Sequence, residues 1–331
     1  MHCLYKLRFI APVHFGAERP GIGLEKSQLH CYADTFFSAL CQEIAAWYGA
    51  ARLQEFVQAA QDGKFLLSDL LPYVGDELYV PKPVYRLVRE DNDEMEVPNG
   101  GKKKMKKIKF IPVTELAEYL RSGQADAQEF AVEIMYDKTQ ILRQPETKPN
   151  GKPKHTELFS VSTHRFKENC GLYFIVELPE EQKAWFDNLL KLLGLTGIGG
   201  EVSSGYGKFE FATGQNLMSE IGSSAEKELA VRLTNNTAAR YMMLSCFFPR
   251  DEAEIAILQD KESRYVLIPR GGFVSSPAYA DTPTKKKPIV MVKAGSCLAG
   301  KVEGGIVDVS DRGAHPVWRY GKPMLLALGD K

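Results

Sequence analysis

Between residues 172 and 212 the chain switches element type twice with every signal in place, which narrows the folds open to it more than any other stretch. Leu172 to Leu178 is an apolar run of strand length, and Pro179 then opens a helix at a position where a missing N–H costs nothing. Glu180 and Glu181 lie beside the positive end of the helix dipole, Phe186, Leu189, Leu190 and Leu193 recur at helical spacing, and Gly194 closes the helix. Tyr206 to Ala212 follows as a strand. The N-terminus supplies the matching half. Cys3, Tyr5, Leu7 and Phe9 alternate with Lys6 and Arg8, so one strand face is core and the other basic. Asp34 stands where an N-cap belongs, before Phe37, Leu40, Ile44 and Trp47, and a second helix from Arg52 to Asp62 stops at Gly63. The region of Pro72, Pro81 and Pro83 reads as loop and edge strand. This order over residues 1–213 predicts an α+β, βαββαβ sheet of the ferredoxin-like (RRM-like) kind.

Two insertions interrupt it. Over residues 90–109, five acids precede Pro98-Asn99-Gly100-Gly101 and six lysines, a solvated loop or hairpin of net charge +1. Residues 138–167 hold seven basic residues, Arg143 and Arg165 among them, against Glu146 and Glu157, a net +5. That segment is too polar for a core of its own and reads as a projecting hairpin or disordered arm able to touch RNA. Gly214 to Ser224 reads as a linker. Beyond it, Leu229 to Leu233, Tyr241 to Phe248, Tyr265 to Ile268 and Ile289 to Val292 look strand-like, giving a β-rich second domain over 225–331, a degenerate copy of the first.

Composition sets the outer limits. With 331 residues, 44% of them hydrophobic, the chain can bury the cores of two domains. Its 42 basic and 42 acidic side chains cancel, so no whole-molecule field gathers phosphate, and nucleic-acid binding must come from local features. The six cysteines form no C-x-x-C pair and read as buried thiols of a reducing compartment, with no metal or other cofactor expected. No apolar run approaches a membrane span, which places the chain in the cytoplasm.

Residues 197–207 carry the most chemical information. Gly197, Gly199, Gly200, Gly205 and Gly207 fall within eleven positions, interleaved with Ser203, Ser204 and Tyr206 and followed by Lys208. Such a turn can present backbone N–H groups and serine hydroxyls to an anionic chain, or serve close packing alone. The glycines precede a strand and lack the G-x-x-x-x-G-K-[ST] order, so this is no nucleotide-binding phosphate loop. The pattern G-I-G-G-x-x-S-S-G-Y-G-K-F after an apolar helix resembles the glycine-rich loop of the RAMP superfamily of CRISPR RNA-binding proteins. Further segments keep the resemblance in order: Pro12-Val13-His14-Phe15-Gly16, Ala33 to Cys41, Leu67-Ser68-Asp69, Pro81-Lys82-Pro83, Arg270-Gly271-Gly272-Phe273-Val274 and His315 to Lys322. Together they are similar to the fourth subunits of type III-A (Csm) CRISPR effector complexes. That resemblance implies a non-enzymatic subunit that grips the 5′ tag of CRISPR RNA. It would bridge the large polymerase-like signalling subunit to the backbone RAMP subunit, with a hairpin thumb for which the 138–167 arm is the candidate.

Individual residues allow two readings. His14 can donate to a phosphate or act as general base on a 2′-hydroxyl, or be a hydrogen-bonded loop residue. His164 and Arg165 can contact RNA or end a solvated strand. Lys6 and Arg8 lie on the outward face of a sheet that would face RNA, Arg270 beside Gly271 offers a second glycine turn, and Lys285-Lys286-Lys287 reads as an exposed turn. The rival function is a metal-independent RNA-processing endonuclease of the same superfamily, using His14 or His164.

Overall fold

The computed structural model describes residues 1–16, 23–85, 107–125, 132–142, 157–219, 222–274, 276, 278–282 and 284–329. In chain order, β1 (His2–Phe9) leads through the short pair β2 (Phe15–Gly16) and β3 (Ser27–Gln28) to helices α1 (Ala33–Trp47) and α2 (Gly49–Gln61). Strands β4 (Leu66–Leu67), β5 (Leu71–Val74), β6 (Glu77–Pro81) and β7 (Phe110–Pro112) precede α3 (Leu116–Ser122), and β8 (Val132–Leu142) pairs with β9 (Glu157–Phe166) as a hairpin. Then come β10 (Cys170–Glu177), α4 (Lys183–Thr196) and β11 (Phe209–Phe211). The main sheet runs β11-β1-β10-β5-β6-β7, every pair antiparallel, with Tyr5 opposite Phe174 and Phe9 opposite Phe209.

The alternation in β1 does what period two requires. Cys3, Tyr5, Leu7 and Phe9 join Leu172, Phe174 and Val176 of β10 beneath α1, α2 and α4, packed on Phe36, Phe37, Leu40, Phe186 and Leu190. The opposite face is not the solvated basic surface expected of it. Leu4, Tyr173 and Ile175 bury a second core against Leu229, Met242, Leu244, Cys297 and Leu326 of the C-terminal half. Lys6 is drawn to the Gly75 carbonyl at 3.0 Å and only Arg8, paired with Glu210, stays exposed.

Several local expectations change. Tyr32, not Asp34, is the residue before α1, and the Ala33 amide is capped from a distance by Asp69 Oδ1 at 2.8 Å. Residues 180–182 form a 3-10 turn, and α4 runs through Gly194 to Thr196 before Gly197, at φ 95°, ends it. Pro72 lies within β5, inside the sheet, because the pairing with β6 is confined to Tyr73 and Val74 beyond it. The segment after Gly214 is tied down: β12 (Gln215–Asn216) pairs with β1, and Leu217 is buried.

The C-terminal half contains α5 (Ser224–Thr234), β13 (Tyr241–Met243), α6 (Glu252–Gln259), β14 (Leu267–Arg270), β15 (Ile289–Val292), β16 (Cys297–Leu298), β17 (Gly305–Asp308), β18 (Trp318–Gly321) and β19 (Leu325–Ala327). Leu229 to Leu233 is therefore helical. A short apolar run cannot separate strand from helix by itself, whereas the capping box of Ser223 and Glu226 starts a helix there.

Candidate nucleic-acid interface

Three segments distant in sequence meet where β1 ends. Phe9 packs on Phe15, Phe166 and Phe209 with ring centroids 6.4, 5.2 and 5.8 Å apart, joining the turn after β1, the foot of the β8–β9 hairpin and the start of β11. Backbone bonds fasten the same junction. Val13 and His164 exchange N–H···O bonds of 2.9 Å, and the Pro12 and His14 carbonyls accept from Gly207 and Gly200 at 2.8 Å each.

The glycine-rich turn is half inward and half outward. Most of its amides are closed off: those of Gly197, Ile198, Gly200, Ser204, Gly205, Tyr206 and Gly207 all donate to protein carbonyls. A Cβ on Gly207 would collide with the Ile198 carbonyl, and one on Gly199 would sit 2.5 Å from the His14 carbonyl oxygen. Most of the glycine density thus serves close backbone packing. At the outer lip, Gly199, Ser203 and Ser204 are exposed, and the amides of Gly199, Val202 and Ser203 donate to no acceptor among the described residues. The last two are the unpaired first amides of a 3-10 turn over Val202–Ser204. Gly205, at φ 87°, faces open space. Half-buried Lys208 and Glu201 offset one another in charge, so attraction at this lip comes from oriented N–H groups.

Both histidines point into the junction. His14 is buried, with Nδ1 2.7 Å from the Ser162 carbonyl and its ring against Gly200. His164 is buried as well, neither of its ring nitrogens is hydrogen-bonded among the described residues, and burial holds its pKa below the usual imidazole range against the opposing pull of the Ser27 backbone. The Nδ1 contact is the hydrogen bond that the loop-residue reading of His14 expects. Arg165 alternates to the outer face of β9 and is exposed, and Gly16 caps the neighbouring β2 edge, where its carbonyl accepts from Gln28 Nε2.

The other expected site residues lie elsewhere. Lys82 follows β6, four strands from β11, which is roughly 19 Å across the sheet. Arg270 is not free for an outside ligand in full: its Nε and Nη2 donate to the buried Asp34 carboxylate at 3.0 and 2.7 Å, because the tertiary fold needs a partner for that charge. Gly271 gives its carbonyl to Arg319 Nη2 at 3.0 Å. Lys286 turns inward while Lys285 and Lys287 are exposed, so that lysine run is not wholly a surface turn. Arg143, and the charged stretch up to residue 106, fall outside the described residues. Sequence reasoning missed Arg319 and Asp69. The available signal was an arginine between Trp318 and Tyr320 in an apolar strand, and an acid beside Leu67 and Leu70.

Residues 236–328 match the model of the CRISPR Csm4 C-terminal domain. A CRISPR system Cms protein Csm4 of Mycobacterium tuberculosis is 36% identical over 316 residues, covering 95% of this chain and 94% of its own. The protein of that description from Streptococcus thermophilus is 29% identical over 320 residues, 95% of each chain. Among solved structures, a Csm3–Csm4 subcomplex of the type III-A CRISPR-Cas interference complex contains a chain that superposes with a TM-score of 0.62 at 18% identity, covering 99% of both chains. A Csm1–Csm4 cassette in complex with pppApA contains one with a TM-score of 0.59 at 18% identity, covering 100% of this chain and 99% of that one.

Proposed function

The chain belongs to the Csm4 family of type III-A CRISPR effector subunits, and on that premise we propose that it is a non-catalytic subunit that holds the 5′ tag of CRISPR RNA at the outer lip of its glycine-rich turn. It bridges the large signalling subunit and the backbone subunit, the counterparts of the partners named for the Csm1–Csm4 and Csm3–Csm4 assemblies, and it acts in the cytoplasm without a metal or cofactor. The observation that carries the reading is that the amides of Gly199, Val202 and Ser203 find no acceptor among the described residues, in a turn where Gly199 and Ser203 are exposed and Val202 half-buried. Single-stranded RNA is gripped by such donors together with side chains that stack or wedge. The β8–β9 hairpin, rising from the same junction, is the thumb that displaces a nucleotide at the tag–guide boundary. The β11-β1-β10-β5 order, with α1, α2 and α4 on one face, supports a ferredoxin-like RAMP domain over 1–213, and 225–331 is read as a degenerate second copy.

Gly205→Asp tests the lip. Aspartate tolerates the left-handed conformation better than most residues and meets no neighbour there, so the fold survives while a carboxylate opposes phosphate. Reduced retention of CRISPR RNA by the folded variant is expected; unchanged retention refutes the role of the lip. Gly199→Asp cannot serve, because its collision with the His14 carbonyl would confound folding with binding. The endonuclease reading is disfavoured by the burial of both imidazoles. Specific cleavage of repeat RNA in chelator, abolished by His14→Ala, would restore it.

A further inference from the structure

Asp34 lies wholly buried in the first turn of α1 and faces three cations. Arg270 takes both of its oxygens, Arg319 donates to Oδ2 as well, and Lys286, whose amide donates to the Gly272 carbonyl at 2.8 Å, is within electrostatic reach of all three. Asp69 does not restore the balance, since burial, with Asp34 adding to it, raises its pKa to about 8. Burial, with Arg319 and Arg270 adding to it, presses the pKa of Lys286 down to about 8, so below that pH three positive groups share one ionised carboxylate, an excess that an anion would neutralise. Donors remain for it. Arg270 Nη1, Arg319 Nε and Lys286 Nζ are hydrogen-bonded to nothing among the described residues. The same residues are tied to the Gly271-Gly272 turn, whose carbonyls accept from Arg319 Nη2 and the Lys286 amide; Gly272 is exposed at φ 115°, and next to it Phe273 keeps 54% of its surface free, with Lys285 Nζ 5.8 Å from its ring centroid.

We propose that Arg270, Arg319 and Lys286 form a phosphate site, distinct from the glycine-rich turn, that holds one phosphodiester of single-stranded RNA while a base of that nucleotide stacks on Phe273. Guanidinium forks and an ammonium suit an oxyanion, and the aromatic ring beside them selects a nucleic acid over inorganic phosphate. The assignment of RNA rests on the RNA-binding reading above.

The test uses the full chain and a short 5′-hydroxyl single-stranded RNA. Lys286→Gln should weaken binding about three- to tenfold and lower the slope of log affinity against log salt by about 0.7, one phosphate contact on a single strand. Lys286→Arg should restore both. Phe273→Ser should weaken binding about tenfold with the slope unchanged. Affinity and slope both unmoved by Lys286→Gln, in a chain whose binding still falls with Gly205→Asp, overturns this site and leaves the glycine-rich lip standing. No RNA binding by the unaltered chain overturns both. ATP binding lost in Lys286→Gln while RNA affinity is untouched assigns the phosphate to a free nucleotide and overturns the RNA site. Arg319 is left unaltered, because its loss would strand Asp34.

Discussion

At the scale of single residues, the chain places opposite demands on two carboxyls in one buried neighbourhood. Burial opposes ionisation of Asp34, but Arg270 and Arg319 outweigh it and hold the carboxyl well below the usual range. Asp69 has no such ion pair: Oδ1 accepts the Ala33 amide, Oδ2 has no hydrogen-bond partner among the described residues, and burial raises its pKa to about 8 against the opposing Ala33 and Cys246 amides. The folded state therefore binds a proton that the unfolded state releases near pH 4, so the contribution of Asp69 to stability is complete below about pH 4 and is lost as pH rises to about 8. Asp69→Asn keeps the cap and removes the titration. Its melting temperature should match the parent near pH 4 and exceed it at pH 8 by about 2–4 °C for each kcal/mol recovered, a difference that thermal denaturation across pH would reveal. Glycines show the same specificity of place. Gly207→Ala should cost about 1–3 kcal/mol or more through collision with Ile198, while Gly205→Ala, which meets open space, should cost only about 1–2 kcal/mol for its left-handed backbone. Equal losses in urea denaturation would contradict this division. Sequence reasoning could see that the turn needed glycine, but not which partner each glycine needed.

At the scale of elements, Gly194 shows propensity losing to packing. Alanine is favoured over glycine inside a helix by about 1 kcal/mol, yet a Cβ here would lie 2.5 Å from the Phe209 carbonyl oxygen, where overpacking costs about 1–3 kcal/mol. Gly194→Ala should thus destabilise the protein, and a raised melting temperature would show that α4 can shift from β11. The apolar spacing of residues 186–193 announced the helix; its end was misplaced because a glycine that permits close approach looks the same in sequence as one that stops a helix. The hairpin is legible in part. Polarity and charge marked 138–167 as a hairpin or a disordered arm, and the structure pairs β8 with β9 in a ladder that begins earlier, at Val132 paired with Phe166. Replacing residues 143–154 with a short turn removes none of the paired residues. Unfolding should be unchanged within experimental error while the RNA footprint at the tag–guide boundary shifts; an unaltered footprint would remove the thumb assignment.

At the scale of the whole molecule, the two halves are bound through the sheet. Leu4, Tyr173 and Ile175 meet Met242, Leu244 and Leu326, Tyr320 stacks on Phe37 with centroids 5.0 Å apart, and Arg270 and Arg319 close on Asp34. A chain ending at residue 235 would bare one face of the sheet and leave Asp34 unpaired, so it should aggregate or lose cooperative unfolding; a soluble, two-state fragment would show that the interface is dispensable. Period-two and helical spacing, Pro179 and the glycine cluster were enough to mark β1, α1, α2, β10, α4 and β11 and to locate the turn that meets RNA in the proposed function, whereas β7, α3 and the start of β8 carried no such mark. These are local properties, written in neighbours a few positions apart. The tertiary structure alone decided that the second sheet face is covered, that His14 and His164 point inward, and that Arg270, Lys286 and Arg319 converge on Asp34. Burial and charge pairing there join residues from 148 positions apart, at His14 and Ser162, to 285, at Asp34 and Arg319, and no local pattern encodes such distances.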